Sequence, residues 1–306
     1  DPAHRLILRS SACLLQSRNN AVVLAAAVLH YYLAPSQEVA RVAKALIRLL
    51  HTNRETQHIA LMNIATIAST HPRVFGDFLS EFFVCAGESL ATRSLRLEIL
   101  THVANEQNIT RILREMREYT KVSIFFLSFS LSLSFFETHF HKLFPNQDED
   151  KSFVAAAVQA IGRCAAAIPE VADSCMQQLL QLMGNPSQVV VAEAVVVVKK
   201  LLQANAHASA SSAPRDVRII KQLAKLLPTI AVPQARAAIV WLVGEYSDKV
   251  PQRAPDVLRV LARGFPDESE LVKLQIVTLA AKLFVSTSPS PPPRTEQLLR
   301  YVLQLA

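Results

Sequence analysis

The side chains that could do chemistry are few, and they do not converge in the sequence. His139 and His141 are two imidazoles that could ligate a metal, but no third ligand lies at a useful spacing, so a solvated loop is the favoured interpretation. Glu245 follows Trp241 on an apolar helix, where a carboxylate satisfied at a helix junction is a simpler interpretation than a buried catalytic acid. No glycine-rich phosphate loop, Gly-x-Ser-x-Gly motif or His-Glu-x-x-His motif occurs. We therefore predict no enzymatic activity, cofactor, bound metal or small-molecule substrate.

Two series of basic residues, here called basic ridges, recur at helical spacing and are the better candidates for a binding function. They are Arg41, Lys44 and Arg48, and Arg111, Arg114, Arg117 and Lys121. Such ridges could contact an acidic membrane or an acidic partner, with each exposed charge near an anionic surface contributing about 1 kcal/mol. A solvated helix face is the simpler interpretation of either ridge alone. The net charge of +7, from 32 Lys and Arg against 25 Asp and Glu, favours acidic surfaces without identifying one.

The elements that position these residues are predicted to be helices. Glycine is scarce at 6, apolar residues make up 51% of the 306 residues, and the 16 prolines fall mostly between apolar runs. The first helix of each predicted pair is called the leading helix, and leading helices are predicted near Asn20, Asn53, Ser89, Asp148, Ser187, Pro233 and Asp267. Their steps of roughly 33 to 39 residues are typical of helical-pair repeats, of which about seven fit the chain.

The predicted fold is an all-α solenoid of HEAT or armadillo-like helical hairpins, which forms one domain over residues 1–306 and a curved right-handed superhelix. A tetratricopeptide array is not favoured, because its Trp-x₂-Leu-Gly-x₂-Tyr box does not recur. The Val-rich run at 189–198 would suit a buried strand by propensity, but its context favours a helix. The four cysteines have no metal-ligand spacing and are predicted to be buried small hydrophobes without disulfides.

The stretch 237–284 shows the repeat unit most clearly. Four apolar residues recur at i, i+4, i+7 and i+11, and Pro251 is predicted to end that helix. A partner helix is predicted from about Pro255, and Asp267 with Glu270 is predicted to cap the next leading helix. The two stripes predicted to form the core between repeats are Ile239, Val243, Tyr246 and Val250, and Val272, Ile276, Leu279 and Leu283.

Several long stretches resemble one known family. They include WLVGEY at 241–246, VPQRAPDVLR at 250–259 and the run at 267–284, with further likeness at 37–68, 95–109, 160–175 and 189–203. Over nearly its whole length the chain resembles the large β subunits of clathrin-type adaptor complexes, most of all those of adaptor complex 3. The family's hinge and C-terminal ear have no counterpart here, and its trunk is longer at the N-terminus.

The resemblance implies a HEAT-like trunk in a heterotetramer with a second large subunit, a medium subunit and a small subunit. It implies cargo sorting into vesicles from endosomal or trans-Golgi membranes toward the lysosome or vacuole. The expected location is cytoplasmic, peripheral on Golgi and endosomal membranes and on coated vesicles, with contacts to acidic membrane and to an Arf-type GTPase. No nucleic-acid partner is expected.

One segment departs from both the repeat and the family. Residues 122–147 are rich in Ser, Phe and Leu, and removing about 26 residues restores a step of about 33 between leading helices. Its uncharged run, residues 122–136, is shorter than the roughly 20 residues that a bilayer-spanning helix needs, and a strand or an aggregation-prone loop is an open alternative. We predict an insertion, for which a retained intron or an erroneous gene model is the leading hypothesis. Residues 204–214 and 286–293 are predicted to be flexible loops.

Two other binding classes remain as alternatives. A karyopherin-like transport receptor would carry a ladder of Trp and Asn in its groove, whereas this chain has one Trp. An RNA-binding helical array would repeat a base-reading set of side chains in every unit, and none recurs.

Overall fold

The computed structural model describes residues 2–35, 39–85, 87–132, 147–183, 187–206, 213–286 and 293–305. All regular structure in these ranges is helical, and they contain no strand, which confirms the all-α prediction. The α-helices are α1 Pro2–Ser11, α2 Asn20–Leu33, α3 Val39–Leu49, α4 Arg54–Thr70, α5 Leu90–Val103, α6 Ile109–Ser132, α7 Gln147–Ala167, α8 Ala172–Leu182, α9 Gln188–Ala206, α10 Ala213–Leu226, α11 Pro233–Glu245, α12 Arg253–Arg263, α13 Glu270–Ser286 and α14 Pro293–Leu305. Short 3₁₀ segments occupy Ala12–Gln16, Pro72–Phe82, Pro169–Val171, Ser247–Lys249 and Phe265–Asp267.

The chain divides into two compact units. The first unit contains Asp1–Tyr119 and Asn146–Cys164, and the second contains Thr120–Pro145 and Ala165–Ala306. Among the described residues, no helix combines the length and the apolar character that crossing a bilayer requires.

In the first unit, the leading helices α2, α4 and α5 pack in sequence order, and α3 and the 3₁₀ segment Pro72–Phe82 cover them from one side. Phe75 and Phe82 are fully buried and meet edge to face with ring centroids 5.9 Å apart. Pro72 opens this segment, where its missing N–H and fixed φ suit a first helical position. A 3₁₀ segment therefore takes the place of a second α-helix in this pair.

In the second unit, the leading helices α9, α11 and α13 contact one another in order and form the leading layer. Helix α10 packs on α11, and α12 packs on α13 and touches α10, so α10 and α12 form a second layer. The Val-rich run lies within α9, as its context predicts. Neighbouring leading helices and a partner helix cover these leading helices, which explains their high apolar content.

One predicted helix end and one predicted cap are wrong, each for a local reason. Helix α2 begins at Asn20 as predicted, and the side chain of Asn19 caps it by accepting a hydrogen bond from the Ala21 amide at 3.0 Å. Helix α11 ends at Glu245, since the backbone turns at Tyr246 into the segment Ser247–Lys249. Tyr246 and Val250 are therefore buried beyond the helix rather than on it.

The predicted capping box at Asp267 is also wrong. Asp267 lies in a 3₁₀ segment, and the carbonyl of Ser269 instead accepts the first amides of α13, from Val272 and Lys273. Glu268 precedes it in extended conformation and is held by an arginine of α11. Helix α5 begins directly after Ser89, as predicted, and the Ser89 hydroxyl caps it by accepting from the Thr92 amide at 3.3 Å.

The irregular segments are shorter than predicted. Helix α6 continues through Ser132, so a strand at 122–132 is excluded, and 133–146 lie outside the described residues. Helices α9, α10, α13 and α14 extend into the ends of both predicted loops, and only 207–212 and 287–292 lie outside the described ranges. Cys164 and Cys175 are buried as predicted, whereas Cys13 and Cys85 are exposed.

Candidate basic interaction surface

The first predicted ridge lies on the exposed side of α3. Val42, Leu46 and Leu49 face the core, while Arg41, Lys44 and Arg48 are exposed. Arg48 Nη2 donates to the carbonyls of Leu15 and Ser17, at 3.0 and 3.3 Å. Arg48 therefore anchors α3 to the end of the segment before α2, and the surface charge of this ridge rests mainly on Arg41 and Lys44.

Arg41 shares a basic cleft with the first helix. The cleft has a volume of about 810 Å³, and the described residues that line it include no Asp or Glu. Besides Arg41, its cationic or titratable lining residues are His4, Arg5, Arg9 and His30. His30 is 3% exposed, and its Nε2 lies 3.0 Å from the Ser11 hydroxyl oxygen, so its position is fixed from inside. Arginines from α1 and α3 thus converge on one site that attracts anions.

The second predicted ridge lies on α6. Ile109, Ile112, Leu113 and Met116 are buried along one side of the helix. Arg111, Arg114 and Arg117 are exposed on the other side, whereas the side chain of Lys121 lies outside the described residues. The guanidinium of Arg111 stacks over the Phe83 ring at 5.2 Å, which restrains it against the preceding segment.

A third ridge, which the sequence analysis missed, lies on α10. Arg218, Lys221 and Lys225 are exposed and have the same i, i+3, i+7 spacing as the ridge on α3. The neighbouring helix α12 exposes three further arginines, Arg253, Arg259 and Arg263, of which Arg259 forms an exposed ion pair with Asp256 at 3.6 Å. The i, i+3, i+7 spacing of this ridge is present in the sequence, directly after the small polar run at 204–214 that was predicted to be a loop.

The eight residues proposed for the core between repeats are all buried, at 6% exposure or less. Leading helices α11 and α13, which carry most of them, pack against each other. Gly244 permits a close approach, because a Cβ there would lie 3.4 Å from the Leu279 side chain. The Tyr246 hydroxyl donates to the Leu202 carbonyl at 3.1 Å, and burial, followed by the nearby carboxylates Asp216 and Glu245, raises the pKa of that phenol.

Two arginine–glutamate pairs hold the segments beside leading helices at buried or half-buried positions. Arg96 binds Glu88 through Nε at 2.8 Å and Nη2 at 2.7 Å, with the arginine side chain 4% exposed. Arg236 binds both carboxylate oxygens of Glu268, and its Nη1 donates to the carbonyls of Leu227 and Ile230 at 3.0 Å. Each arginine therefore fixes the loop next to a leading helix, a role that sequence spacing did not reveal.

The fourth residue of a leading helix recurs as the polar link to the next repeat. It is Gln57 in α4, Arg93 in α5 and Arg236 in α11. Gln57 donates to Glu88 at 3.3 Å, and Arg93 binds Asp150 at 2.9 Å with its guanidinium 4.8 Å from the Phe153 ring centroid. The links support packing, and the link between Gln57 and Glu88 also lines a cleft of about 570 Å³.

The candidate chemical groups are likewise structural where the structure describes them. Glu245 accepts from Lys282 Nζ at 2.6 Å, so the carboxylate is satisfied at the junction of α11 and α13. His139 and His141 lie outside the described residues. Within the described ranges, no group of three or more His, Cys, Asp or Glu side chains could hold a metal ion. The arrangement offers charge and contact area for binding.

Stacked helical pairs, buried apolar stripes and inter-repeat polar links define an α-solenoid scaffold. Residues 1–306 match the family described as Adaptin N terminal region, and the chain belongs to this family.

The curated relatives agree. The chain is 43% identical over 305 residues to mouse AP-3 complex subunit beta-1, covering 100% of this chain and 24% of that protein. It is 42% identical over 312 residues to AP-3 complex subunit beta of Dictyostelium discoideum, covering 93% of this chain and 26% of that protein. The chain thus spans about a quarter of the length of these relatives. These matches confirm the resemblance drawn from 241–284 and the other stretches.

A structure described as a homology model of the full-length AP-3 complex in an intermediate open conformation is also similar. The TM-score is 0.70 at 26% sequence identity, and the match covers 98% of this chain and 48% of that chain.

Proposed function

We propose that this protein is a scaffold subunit of a heterotetrameric vesicle-coat adaptor complex of the AP-3 type. Its partners are a second large subunit, a medium subunit and a small subunit. The complex sorts cargo from endosomal or trans-Golgi membranes toward the lysosome or vacuole, and the protein is peripheral on these membranes and on coated vesicles. The observation that carries the proposal is 43% identity over the whole chain to an AP-3 beta subunit.

The mechanism is assembly without catalysis. Stacked repeats bury their apolar stripes against each other, and links such as Arg236 to Glu268 set the position of each repeat against the next. Such a scaffold holds several partners at fixed distances, and it neither makes nor breaks a covalent bond. Residues 1–306 act as one domain of helical repeats.

The basic ridges provide contacts to acidic surfaces. The ridges on α3, α6 and α10 are exposed, and the described lining of the cleft beside Arg41 holds further arginines and no carboxylate. An anionic membrane or the acidic surface of an Arf-type GTPase would be attracted to them, at about 1 kcal/mol for each charge near a membrane. Membrane recruitment is then shared among the subunits.

Residues 122–147 are a further part of the proposal. We propose that they are an insertion absent from the family pattern, derived from a retained intron or an erroneous gene model. Sequencing the transcript across the codons of Lys121 and Asp148 tests this. A major message that lacks the segment is expected, and a major message that carries it in frame would contradict the proposal.

Affinity purification of the full-length protein with mass spectrometry tests the main proposal. Medium, small and second large adaptor subunits should co-purify in comparable amounts. Recovery of nuclear transport cargo or RNA in their place would refute it and favour one of the alternative classes.

A further inference from the structure

The leading layer of the second unit exposes large apolar side chains among charged ones on its outer surface. Helical spacing places the solvent-facing residues of α9, α11 and α13 on one strip of each helix, and we call the three strips together the leading face. Its apolar members are Val189, Val196, Ala237, Trp241, Leu271, Leu274, Ala281 and Val285. Leu271, Leu274 and Val285 are 54%, 62% and 70% exposed, which is unusual for side chains of this size clustered on one helix.

Trp241 is where the three helices of the leading face meet. Lys199 Nζ of α9 lies 4.6 Å from the Trp241 ring centroid, and Lys282 Nζ of α13 lies 5.7 Å from it. Lys282 also pairs with Glu245 on the same strip of α11. The chain's only tryptophan is thus half-buried between two ammonium groups. Tryptophan beside cations in a partly desolvated setting is characteristic of residues that dominate the energy of protein interfaces.

The second layer of the same unit provides a contrast. Its helices α10 and α12 expose the basic residues described above, and Val260 is an isolated exposed apolar side chain on α12. A surface that faces only water would resemble the second layer. The apolar strips of the leading face therefore require another explanation.

We propose that the leading face docks a segment of a partner adaptor subunit that presents apolar side chains flanked by carboxylates. The inference rests on the proposed function for the existence of the partner subunit. It adds which surface of this protein binds that subunit and which side chains the bound segment carries. Apolar side chains of the segment would cover Trp241 and Leu274, and its carboxylates would pair with Lys199 and the exposed Lys200. Charge complementarity carries the second half, because two ammonium groups flank the Trp241 ring and Glu245 pairs with only one of them.

Other occupants fit less well. A membrane would be attracted to the basic ridges on α10, which lie on the other layer. A second copy of this face would present lysines of the same charge, and its Glu245 carboxylate is already paired with Lys282, which opposes self-association. An acidic partner segment satisfies both the apolar strips and the ammonium groups.

Site-specific photocrosslinking in the assembled full-length protein tests the inference. A benzophenone side chain replaces Leu274 on the leading face in one variant and Lys221 on the second layer in another. After irradiation in cells, mass spectrometry identifies what each position captures. Capture by the Leu274 position of a segment of another adaptor subunit with Asp or Glu beside apolar residues supports the inference, provided that the Lys221 position does not capture it. Crosslinks only to lipid, to a second copy or to nothing, with the complex intact, would overturn it.

Substitution of the central residues provides a second measurement. Trp241→Ala and Lys199→Gln are each expected to weaken recovery of the captured subunit, by more than about tenfold for Trp241→Ala, in the range of interface hot spots. Val260→Ala, an exposed apolar truncation on the second layer, should leave recovery within about twofold. Unchanged recovery in both leading-face variants overturns the inference and leaves the proposed function standing. Absence of every adaptor subunit from the wild-type purification refutes the proposed function, and this inference with it.

Discussion

Helices α11 and α12 are neighbours in sequence, yet they differ in how much of each helix is buried and in which residues each exposes to solvent. Helix α11 is buried from Ala238 through Gly244 except at Trp241, because α9, α13 and its partners cover it. Helix α12 alternates buried residues such as Leu258 with exposed arginines such as Arg259. The difference shows that coverage by neighbouring helices, rather than the local sequence alone, sets the polarity that each helix can carry.

The same comparison separates the kinds of binding that each layer supports. The second layer exposes Lys and Arg side chains, which attract acidic surfaces over distances of about 10 Å. This attraction weakens as salt rises. The leading layer exposes apolar area around Trp241, which contributes only after close contact. The two outer faces of one unit therefore suit two different partners, and substitutions in the shared core and on each face can separate them.

The largest loss of stability should come from a substitution in the core that both layers share. Phe265 is 2% exposed and lies in the connection between α12 and α13. Phe265→Ala should lower the free energy of unfolding by about 3–5 kcal/mol, because the large cavity cannot be filled. Chemical denaturation measures the loss. Leu274→Ala on the leading face is the control, for which a change within about 0.5 kcal/mol is expected. Equal losses would show that Leu274 is part of the core.

A smaller loss should follow from breaking an inter-repeat link. Arg236→Met leaves Glu268 and two carbonyls without their donor in a site where both charged side chains are less than 20% exposed. The expected cost is about 2–3 kcal/mol, since removal of one partner leaves buried acceptors unsatisfied. Arg259→Met is the matched control, because its ion pair with Asp256 is more than 60% exposed, and it should cost less than about 1 kcal/mol. Denaturant midpoints that coincide for the two variants would contradict the role of the link.

The links also show where sequence reasoning reaches its limit. The stripe of α13 was predictable, because Val272 and Ile276 are related by helical spacing within one element. The partner of Arg236 lies 32 residues away, and the acceptor of the Tyr246 hydroxyl lies 44 residues away. No local pattern encodes which distant group will be adjacent, and this is also why the end of α11 was misplaced. The ridge on α10 was different, since its spacing was present in the sequence.

That ridge allows the charge of the second layer to be tested alone. Each of Arg218→Gln, Lys221→Gln and Lys225→Gln should weaken binding to vesicles that contain phosphatidylserine by about 1 kcal/mol. Cosedimentation measures binding, and the differences should shrink as salt rises. Lys282→Gln removes one charge from the leading layer and should have little effect. A loss with Lys282→Gln as large as that with Lys221→Gln would show that both layers face the membrane.

The smallest expected change is a shift in the pKa of Lys199, which lies on the leading face. Burial lowers the pKa of Lys199, so folding favours its neutral form. Its contribution to stability is therefore fully present above the pKa of the unfolded chain and is lost as pH falls through the lower pKa of the folded protein. NMR of the ¹³C-methylated lysine should show titration below the ordinary value of about 10.4, with return to that value in urea.

Binding of the partner subunit should change the pKa of Lys199 a second time. A carboxylate docked against Lys199 stabilises the ammonium form, so the pKa should rise when the partner subunit binds. An apolar partner without carboxylates would bury the group further and lower the pKa again. The direction of the change therefore distinguishes an acidic partner segment from a purely apolar one, and a further decrease would contradict the charge complementarity inferred for the leading face.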